Sequence, residues 1–327
     1  MKDLIKIITR TFYSSSEQSE SRSSRQARTI NLGQGNTPLI RLFNLEQELN
    51  WQGELWAKCE YQNPTGSFKD RGSVTEILEA LKQKKKGVVC ASTGNMAASL
   101  SAYAARVGLP CIVVVPKGTP QSKLQQALIA GAQLIEVNGN YDVCVGKAQQ
   151  IAKNKNYLLC GDYEIRRIGQ QSIGEELAKS EIKFDAFICP VGNGTVGTAV
   201  AEGFAKYKKF PCFFGVQGKG ADPLTISFEK TLSPIIAMEK PKTIASAMNV
   251  GNPLDGEITL TWVRKTNGAI FSVTDEEILA ARKLLAQTEG IYVEPSAAAT
   301  VAVLEKLPNR TMNLVIILTG HGLKGGV

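Results

Sequence analysis

The stretch that decides the fold is Asn63-Pro64-Thr65-Gly66-Ser67-Phe68-Lys69-Asp70-Arg71-Gly72. It places one lysine between a Pro/Gly-rich loop and a basic run that ends in glycine. A lysine that acts as a covalent amine needs a rigid approach, and it needs burial or a neighbouring cation that makes free amine available. Phe68 and Arg71 could supply these neighbours. The same loop could equally be an ordinary helix start, with Ser67 or Asp70 as its cap.

Length and composition describe an ordinary globular chain. With 327 residues, of which 43% are hydrophobic and 21% charged, it can form two domains or one α/β unit with an inserted lobe. It has no apolar run of about 18 residues and no secretory signal, so no membrane partner is expected. Seven cysteines without a C-x-x-C pair indicate buried thiols in a reducing compartment, hence a cytoplasmic protein. The single histidine, His321, excludes a metal site built on several histidines.

The net charge of +8 raises the question of a nucleic-acid partner. The positive residues are scattered, and their densest cluster, Lys82 with 84–86, closes a predicted helix just before Gly87. Cations at that position complement the helix dipole. We therefore expect no nucleic-acid partner and no metal, and a mild positive field that would suit a phosphorylated substrate.

Apolar runs alternate with helical stretches along most of the chain, which predicts α/β architecture with mostly parallel sheets covered by helices. The predicted strands are Val88–Ala91, Cys111–Val115, Leu134–Val137, Phe187–Pro190, Phe213–Gln217 and Leu314–Leu318. The predicted helices lie near Asn95–Val107, Ser122–Ala130, Tyr141–Asn154, Val196–Lys206, Asp275–Thr288 and Ser296–Leu304. The predicted domains are an N-terminal helix with a polar low-complexity segment at 1–28, a large domain at 29–74 and 156–327, and a smaller inserted α/β domain at 75–155.

Polar loops follow three predicted strands, where ligands collect in parallel sheets. Ser92-Thr93-Gly94-Asn95 can bind an anion or simply cap a helix. Gly192-Asn193-Gly194-Thr195-Val196-Gly197 matches G-x-G-x-x-G, but the next strand ends in Gln217 where a dinucleotide site wants an acid. A single phosphate cradled by backbone N–H groups fits better than a dehydrogenase. Thr319 ends the last strand, where its hydroxyl can bond a ring nitrogen or merely precede a Gly-rich exit.

Five collinear motifs resemble the threonine synthase family of pyridoxal-phosphate enzymes, fold type II, over about residues 30–324. They are NPTGSFKDRG at 63–72, GQGNTPL at 33–39, STGN with ASLSAYAA at 92–105, GIYVEPSAAA at 290–299 and TGHGLK at 319–324. The resemblance implies two helix-covered lobes with pyridoxal phosphate in the cleft between them, and a homodimer. It implies a carbon–oxygen lyase of threonine biosynthesis that converts O-phosphohomoserine and water to threonine and phosphate.

The resemblance also implies roles for single residues. Lys69 would be the Schiff-base lysine and the general base at Cα. Asn95 would bond the cofactor 3′-oxygen and Thr319 its pyridine nitrogen. The substrate phosphate would be gripped by Arg166. The cofactor phosphate would be held by Gly192, Asn193, Gly194, Thr195 and Val196, and the substrate carboxylate by Ser92, Thr93 and Asn95.

The chain departs from the family pattern at positions expected to lie near the substrate. Met96 replaces a threonine, Cys160-Gly161 replaces an Asn-Ser pair, and Asn249 replaces an arginine. Losing one charge-assisted contact costs about 1.5–3 kcal/mol, enough to shift preference among amino-acid phosphates. The alternative function is therefore a serine/threonine ammonia-lyase or a β-replacement enzyme acting on serine, threonine or O-phosphoserine. A non-catalytic sensor is a third possibility, which the intact motifs disfavour.

Overall fold

The computed structural model describes residues 30–324 and divides them into two compact units. Unit 1 comprises 30–34 and Lys69–Gly169, and unit 2 comprises Gly35–Phe68 and 170–324. The helix and polar segment predicted at 1–28 lie outside the described residues. The chain passes from unit 2 to unit 1 between Phe68 and Lys69, so the lysine is the first residue of its segment in unit 1.

Ten strands and eleven α-helices are named here in chain order. The strands are β1 (Leu39–Arg41), β2 (Leu55–Lys58), β3 (Val88–Ala91), β4 (Cys111–Pro116), β5 (Gln133–Val137), β6 (Leu158–Leu159), β7 (Ala186–Pro190), β8 (Cys212–Gly218), β9 (Ala269–Val273) and β10 (Leu314–Ile317). The helices are α1 (Phe43–Glu48), α2 (Lys69–Lys82), α3 (Asn95–Arg106), α4 (Gln121–Ile129), α5 (Tyr141–Lys155), α6 (Glu164–Lys179), α7 (Thr195–Ala205), α8 (Pro223–Glu229), α9 (Gly256–Lys265), α10 (Asp275–Glu289) and α11 (Pro295–Ala302).

Unit 1 is built on a four-stranded sheet in the order β5-β4-β3-β6, in which every pair is parallel. Successive side chains of a strand point to opposite faces, and both faces of this sheet are apolar. Val88 and Cys90 enter one core cluster with residues of α2 and α3, whereas Val89 and Ala91 enter another with residues of α5. Burial on both faces explains why β3 is a continuous apolar run.

Unit 2 is built on a six-stranded sheet in the order β1-β2-β10-β7-β8-β9. Only the β1–β2 pair is antiparallel among these strands. In β10, Leu314 and Ile316 pack with α10 and α11, while Val315 and Ile317 pack with α7 and α9. Helices therefore cover this sheet on both faces as well.

The predicted fold class, α/β with two mostly parallel sheets, is confirmed. Unit 1 is larger than the inserted domain predicted at 75–155, because it also includes 69–74 and 156–169, together with 30–34 from the segment predicted to lie in the large domain. The first addition follows from α2, which begins at Lys69 and packs on α3. The second follows from β6, which pairs with β3. Among residues 30–324, no helix is long and apolar enough to cross a membrane.

Candidate functional site

Lys69 is the first residue of α2 and forms an ion pair within unit 1. Its Nζ lies 2.7 Å from Oδ1 of Asp162, and each of the two side chains is 15% exposed. The carbonyl oxygen of Lys69 accepts a hydrogen bond from Nη1 of Arg166 at 3.2 Å. The lysine is thus held at both its backbone and its amine, with limited access to water.

The loop that leads to Lys69 is fixed by the end of the last strand, within unit 2. The Gly66 N–H donates to the Asn63 carbonyl at 2.7 Å, in a turn that places Gly66 at φ +82°. The Phe68 N–H donates to the Thr319 carbonyl at 3.0 Å, and the His321 N–H donates to the Gly66 carbonyl at 3.0 Å. The approach to the lysine is therefore rigid, as a covalent amine requires.

Arg166 lies in α6 and is fully buried, not open to a ligand as the predicted phosphate grip requires. Its guanidinium forms a two-pronged ion pair with the Glu76 carboxylate. It also donates to the Gly161 carbonyl at 3.2 Å and to Ser73 Oγ at 3.4 Å. Because its donors are used inside unit 1, this placement argues against a phosphate grip and favours a structural role.

In the buried pair of Glu76 and Arg166, the charge of each residue favours the charged form of the other. Burial raises the pKa of the Glu76 carboxyl, and the Arg166 charge and the Gly161 N–H oppose that shift. Burial acts to lower the pKa of Arg166, but the Glu76 and Asp162 carboxylates outweigh it, so the pKa is raised. The arginine is therefore a fixed cation, neutralised where it stands.

The Ser92–Asn95 loop connects β3 to α3 in unit 1, as predicted for a strand-end loop. All four residues are partly buried, and Ser92 Oγ accepts a hydrogen bond from the Gly94 N–H at 3.3 Å. Gly94 is the N-cap of α3, so the first amide groups of this helix have no intrahelical partner. Among residues 30–324, no side chain caps this helix start, and the loop can therefore receive an anion.

The Gly192–Val196 loop connects β7 to α7 in unit 2, with Gly194 as the N-cap at φ +92°. A Cβ on Gly194 would lie 2.1 Å from Thr259 Oγ1, so only glycine fits. The Thr195 side chain is buried, and its hydroxyl has no hydrogen-bond partner in the part of the chain that the structure describes. A buried, unpartnered hydroxyl at a helix N-terminus is an unsatisfied group that a phosphate oxygen would satisfy.

Thr319 follows β10 in unit 2 and is buried. Its Oγ1 lies 3.4 Å from Oε1 of Glu294, the N-cap residue of α11. A Cβ on Gly320 would collide with the same carboxylate, 2.4 Å from its Cδ. The Thr319 hydroxyl is thus oriented by Glu294, an acid that was not among the predicted site residues.

Three of the four departures from the family pattern lie in unit 1 and offer no polar side chain, whereas the fourth, Asn249, lies in unit 2. Met96 is buried in the apolar core beneath α3. Cys160 is also buried, and burial raises the pKa of its thiol well above the usual range. Gly161 has no side chain, and its N–H and carbonyl bond Glu76 and Arg166, at 3.0 and 3.2 Å. Asn249 is exposed at the end of a short 3-10 turn in unit 2.

Three acids of the site were missed from sequence: Asp162, Glu76 and Glu294. Asp162 and Glu76 meet their partners over separations of 93 and 90 residues, which no local pattern reveals. Glu294 stands inside the GIYVEPSAAA motif, so its position could have drawn attention.

A profile of the family described as pyridoxal-phosphate dependent enzyme matches residues 30–320. The chain belongs to this family. Its own residues fit the cofactor, because unit 2 offers an unsatisfied hydroxyl at a glycine-bounded helix start and unit 1 a lysine on a rigid approach. The predicted cofactor is confirmed, and the dehydrogenase reading of Gly192–Gly197 is set aside.

Two relatives within this pyridoxal-phosphate family are threonine synthases. The chain is 41% identical over 315 residues to that of Methanocaldococcus jannaschii, covering 91% of this chain and 77% of the relative. It is 38% identical over 308 residues to that of Halalkalibacterium halodurans, covering 90% and 84%. Among solved structures, the T.th. threonine deaminase superposes with a TM-score of 0.79 at 26% identity, covering 92% and 97%. The resemblance to threonine synthases drawn from the motifs is confirmed.

Proposed function

We propose that this protein is a threonine synthase, which converts O-phosphohomoserine and water to threonine and phosphate. The observation that carries the proposal is the similarity to threonine synthases along nine-tenths of the chain, at 41% identity in one case. The matched region includes both the residues proposed to bind the cofactor and most of the two units that carry them. It supports an enzyme in preference to a sensor.

The proposed roles follow the chemistry of the residues. Lys69 binds the cofactor covalently and moves a proton at the substrate Cα, a task for which an amine on a rigid approach is suited. Thr195 and the backbone N–H groups of 192–196 hold the cofactor phosphate, Asn95 its 3′-oxygen and Thr319 its ring nitrogen. Ser92 and Thr93, with Asn95, receive the substrate carboxylate.

Pyridoxal phosphate, when bound, withdraws electrons from an amino acid so that protons can leave its carbon atoms. The side chains of the site then determine which proton leaves and to which carbon it returns. Lys69 is the base in this proposal because its amine is the group that the rigid NPTGSFKDRG loop holds in place. The remaining residues orient the substrate and leave its Cβ open to the water that adds there.

The first test is phosphate release and threonine formation from O-phosphohomoserine, with purified protein and pyridoxal phosphate. We expect the two products in equal amounts. The Lys69→Ala variant should form no borohydride-trapped adduct at this position and should not turn over. A variant that still traps the cofactor in the same peptide would remove Lys69 from its role.

A serine/threonine ammonia-lyase or β-replacement activity is the second candidate. It is favoured by the neutralised Arg166 and by the apolar or side-chain-free positions Met96, Cys160 and Gly161. The test is turnover of serine, threonine and O-phosphoserine in the same preparation. No threonine from O-phosphohomoserine, together with keto acid from serine or threonine, would decide for the lyase.

The proposal includes a homodimer, which rests on the family resemblance, and a cytoplasmic location, which rests on the seven free cysteines. Sedimentation of the purified chain tests the dimer. A species of one chain's mass across the micromolar range would refute it.

A further inference from the structure

Asp162 forms a close ion pair with the Lys69 amine, and no role follows for this acid from the motifs. It lies after β6 and two residues before α6, and its Oδ1 accepts from Lys69 Nζ at 2.7 Å. Both side chains are 15% exposed, in contrast to surface pairs such as Lys306 with Glu277, at 34% and 40%. A largely desolvated pair is screened less by water and salt than a surface pair.

The neighbouring charges in unit 1 are engaged with one another. Glu76, an acid of α2, is joined to Arg166 of α6 and to the Gly161 N–H. Both Glu76 and Arg166 are almost fully buried. The Glu76 carboxylate is therefore committed elsewhere, and Asp162 supplies negative charge at the lysine amine.

We propose that Asp162 is a positioning residue that holds the Lys69 ammonium whenever the amine is not bonded to the cofactor. This inference rests on the role of Lys69 in the proposed function and not on the identity of the substrate. The same Nζ cannot donate to Asp162 as an ammonium and also be bonded to the cofactor's aldehyde carbon. Asp162 and the cofactor therefore compete for one amine.

Bonding to the cofactor requires the neutral amine of Lys69. The Lys69 ammonium first loses one proton to solvent, which breaks its ion pair with Asp162. The neutral amine then forms the bond from Nζ to the aldehyde carbon, and its two remaining hydrogens leave with the aldehyde oxygen as water. When the substrate's amino group displaces Lys69, the amine is released neutral, takes the proton that leaves the substrate Cα, and then pairs with Asp162 as an ammonium. The contact thus holds the lysine in one position, from which the ammonium can give a proton back.

The test follows cofactor capture by the full-length chain after its pyridoxal phosphate has been removed. The protein is mixed with pyridoxal phosphate, the visible absorbance is recorded with time, and borohydride trapping identifies the bonded lysine. Asp162→Asn keeps the shape and removes the charge, whereas Asp162→Glu keeps the charge. Glu164→Gln is the matched control, because this exposed acid lies two residues away, in the first turn of α6.

Asp162→Asn is expected to capture the cofactor about tenfold faster and to retain it more tightly, equivalent to ~1.4 kcal/mol. Asp162→Glu should stay within about threefold of the native rate, and Glu164→Gln should match it. A structural defect would slow capture in both Asp162 variants and lower their melting temperatures. Native or slower capture by a folded Asp162→Asn would overturn the inference.

The result of the cofactor-capture experiment can be distinguished from the results that test the proposed function. Lys69→Ala that still gives a trapped adduct would refute the lysine assignment, whatever the Asp162 variants do. Absence of threonine synthase turnover would leave the capture rates interpretable, because no substrate enters the experiment.

Discussion

Replacing Arg166 with alanine should lower the free energy of unfolding of the protein, and this should be its main effect, larger than any effect on substrate binding. The guanidinium is fully buried and bonds the Glu76 carboxylate, two backbone carbonyls and Ser73. Without it, Glu76 keeps only the Gly161 N–H among the contacts described above. A buried charge stripped of its partner costs about 3–5 kcal/mol. That is a large share of a total stability of about 5–15 kcal/mol.

The assay is urea unfolding of the native protein, Arg166→Ala, Glu76→Gln and a double variant Glu76→Gln/Arg166→Met. The double variant removes both charges and refills part of the volume, so it should recover at least about 1 kcal/mol relative to Arg166→Ala. Arg106→Ala is the control, since this arginine lies exposed in the last turn of α3. Its stability should stay within about 1 kcal/mol of the native value.

One result would refute this reasoning. If Arg166→Ala kept native stability and raised KM for O-phosphohomoserine far more than for an unphosphorylated amino acid, the side chain would be a phosphate ligand. The native arrangement with Glu76 would then have to open to admit the substrate. A loss of stability with parallel effects on both substrates would support the structural role.

Two further predictions concern the glycine loop and the thiols. Gly194→Ala should weaken pyridoxal phosphate binding at least about tenfold and destabilise the fold by about 1–3 kcal/mol, because the backbone at φ +92° and the side chain of Thr259 exclude a Cβ. Gly146→Ala is the control and should be neutral or stabilising, because a Cβ there meets open space. Cofactor titration measures the affinity and urea unfolding measures the stability. Equal behaviour of the two variants would contradict the proposal that the loop at 192–196 holds the cofactor phosphate. Burial raises the pKa of Cys59 and of Cys111 to about 11, so each thiol stays protonated in the folded state to higher pH than in the unfolded state. Stability should therefore fall by about 1.4 kcal/mol per pH unit per thiol between about pH 9 and 11, and a flat alkaline profile of unfolding free energy would contradict the burial argument.

The strand-end loops could be predicted from sequence because their signals are local. Apolar runs such as Val88–Ala91 end in glycine and hydroxyl residues, and the structure gives this strand the predicted bounds. The last strand ends at Ile317, one residue before the predicted Leu318. Such boundaries follow from periodicity and punctuation, which neighbouring residues fix.

The rest of the fold could not be predicted, because short or amphipathic elements give weak signals. β6 has two residues, and only its pairing with β3 defines it. α6 carries Glu, Arg and Gln residues that do not form a simple apolar stripe. α9 and β9 lie in a stretch where threonine, tryptophan and valine suit either a helix or a strand. In each case tertiary contacts decide the structure.

The same difference between local signals and long-range contacts explains why the cofactor could be predicted from the sequence more readily than the substrate. The residues proposed to bind the cofactor belong to motifs that are continuous in sequence, and all of them lie within the residues that the family profile matches. The substrate side of unit 1 depends on long-range pairs, and the four charges of Lys69, Asp162, Glu76 and Arg166 sum to zero. A substrate phosphate must therefore be balanced by cations or N–H dipoles other than these four, whereas serine or threonine needs no such balance. The relative kcat/KM for O-phosphohomoserine and threonine thus measures how far the neutral cluster sets substrate choice, and a strong preference for the phosphate would locate its counter-charge outside the cluster.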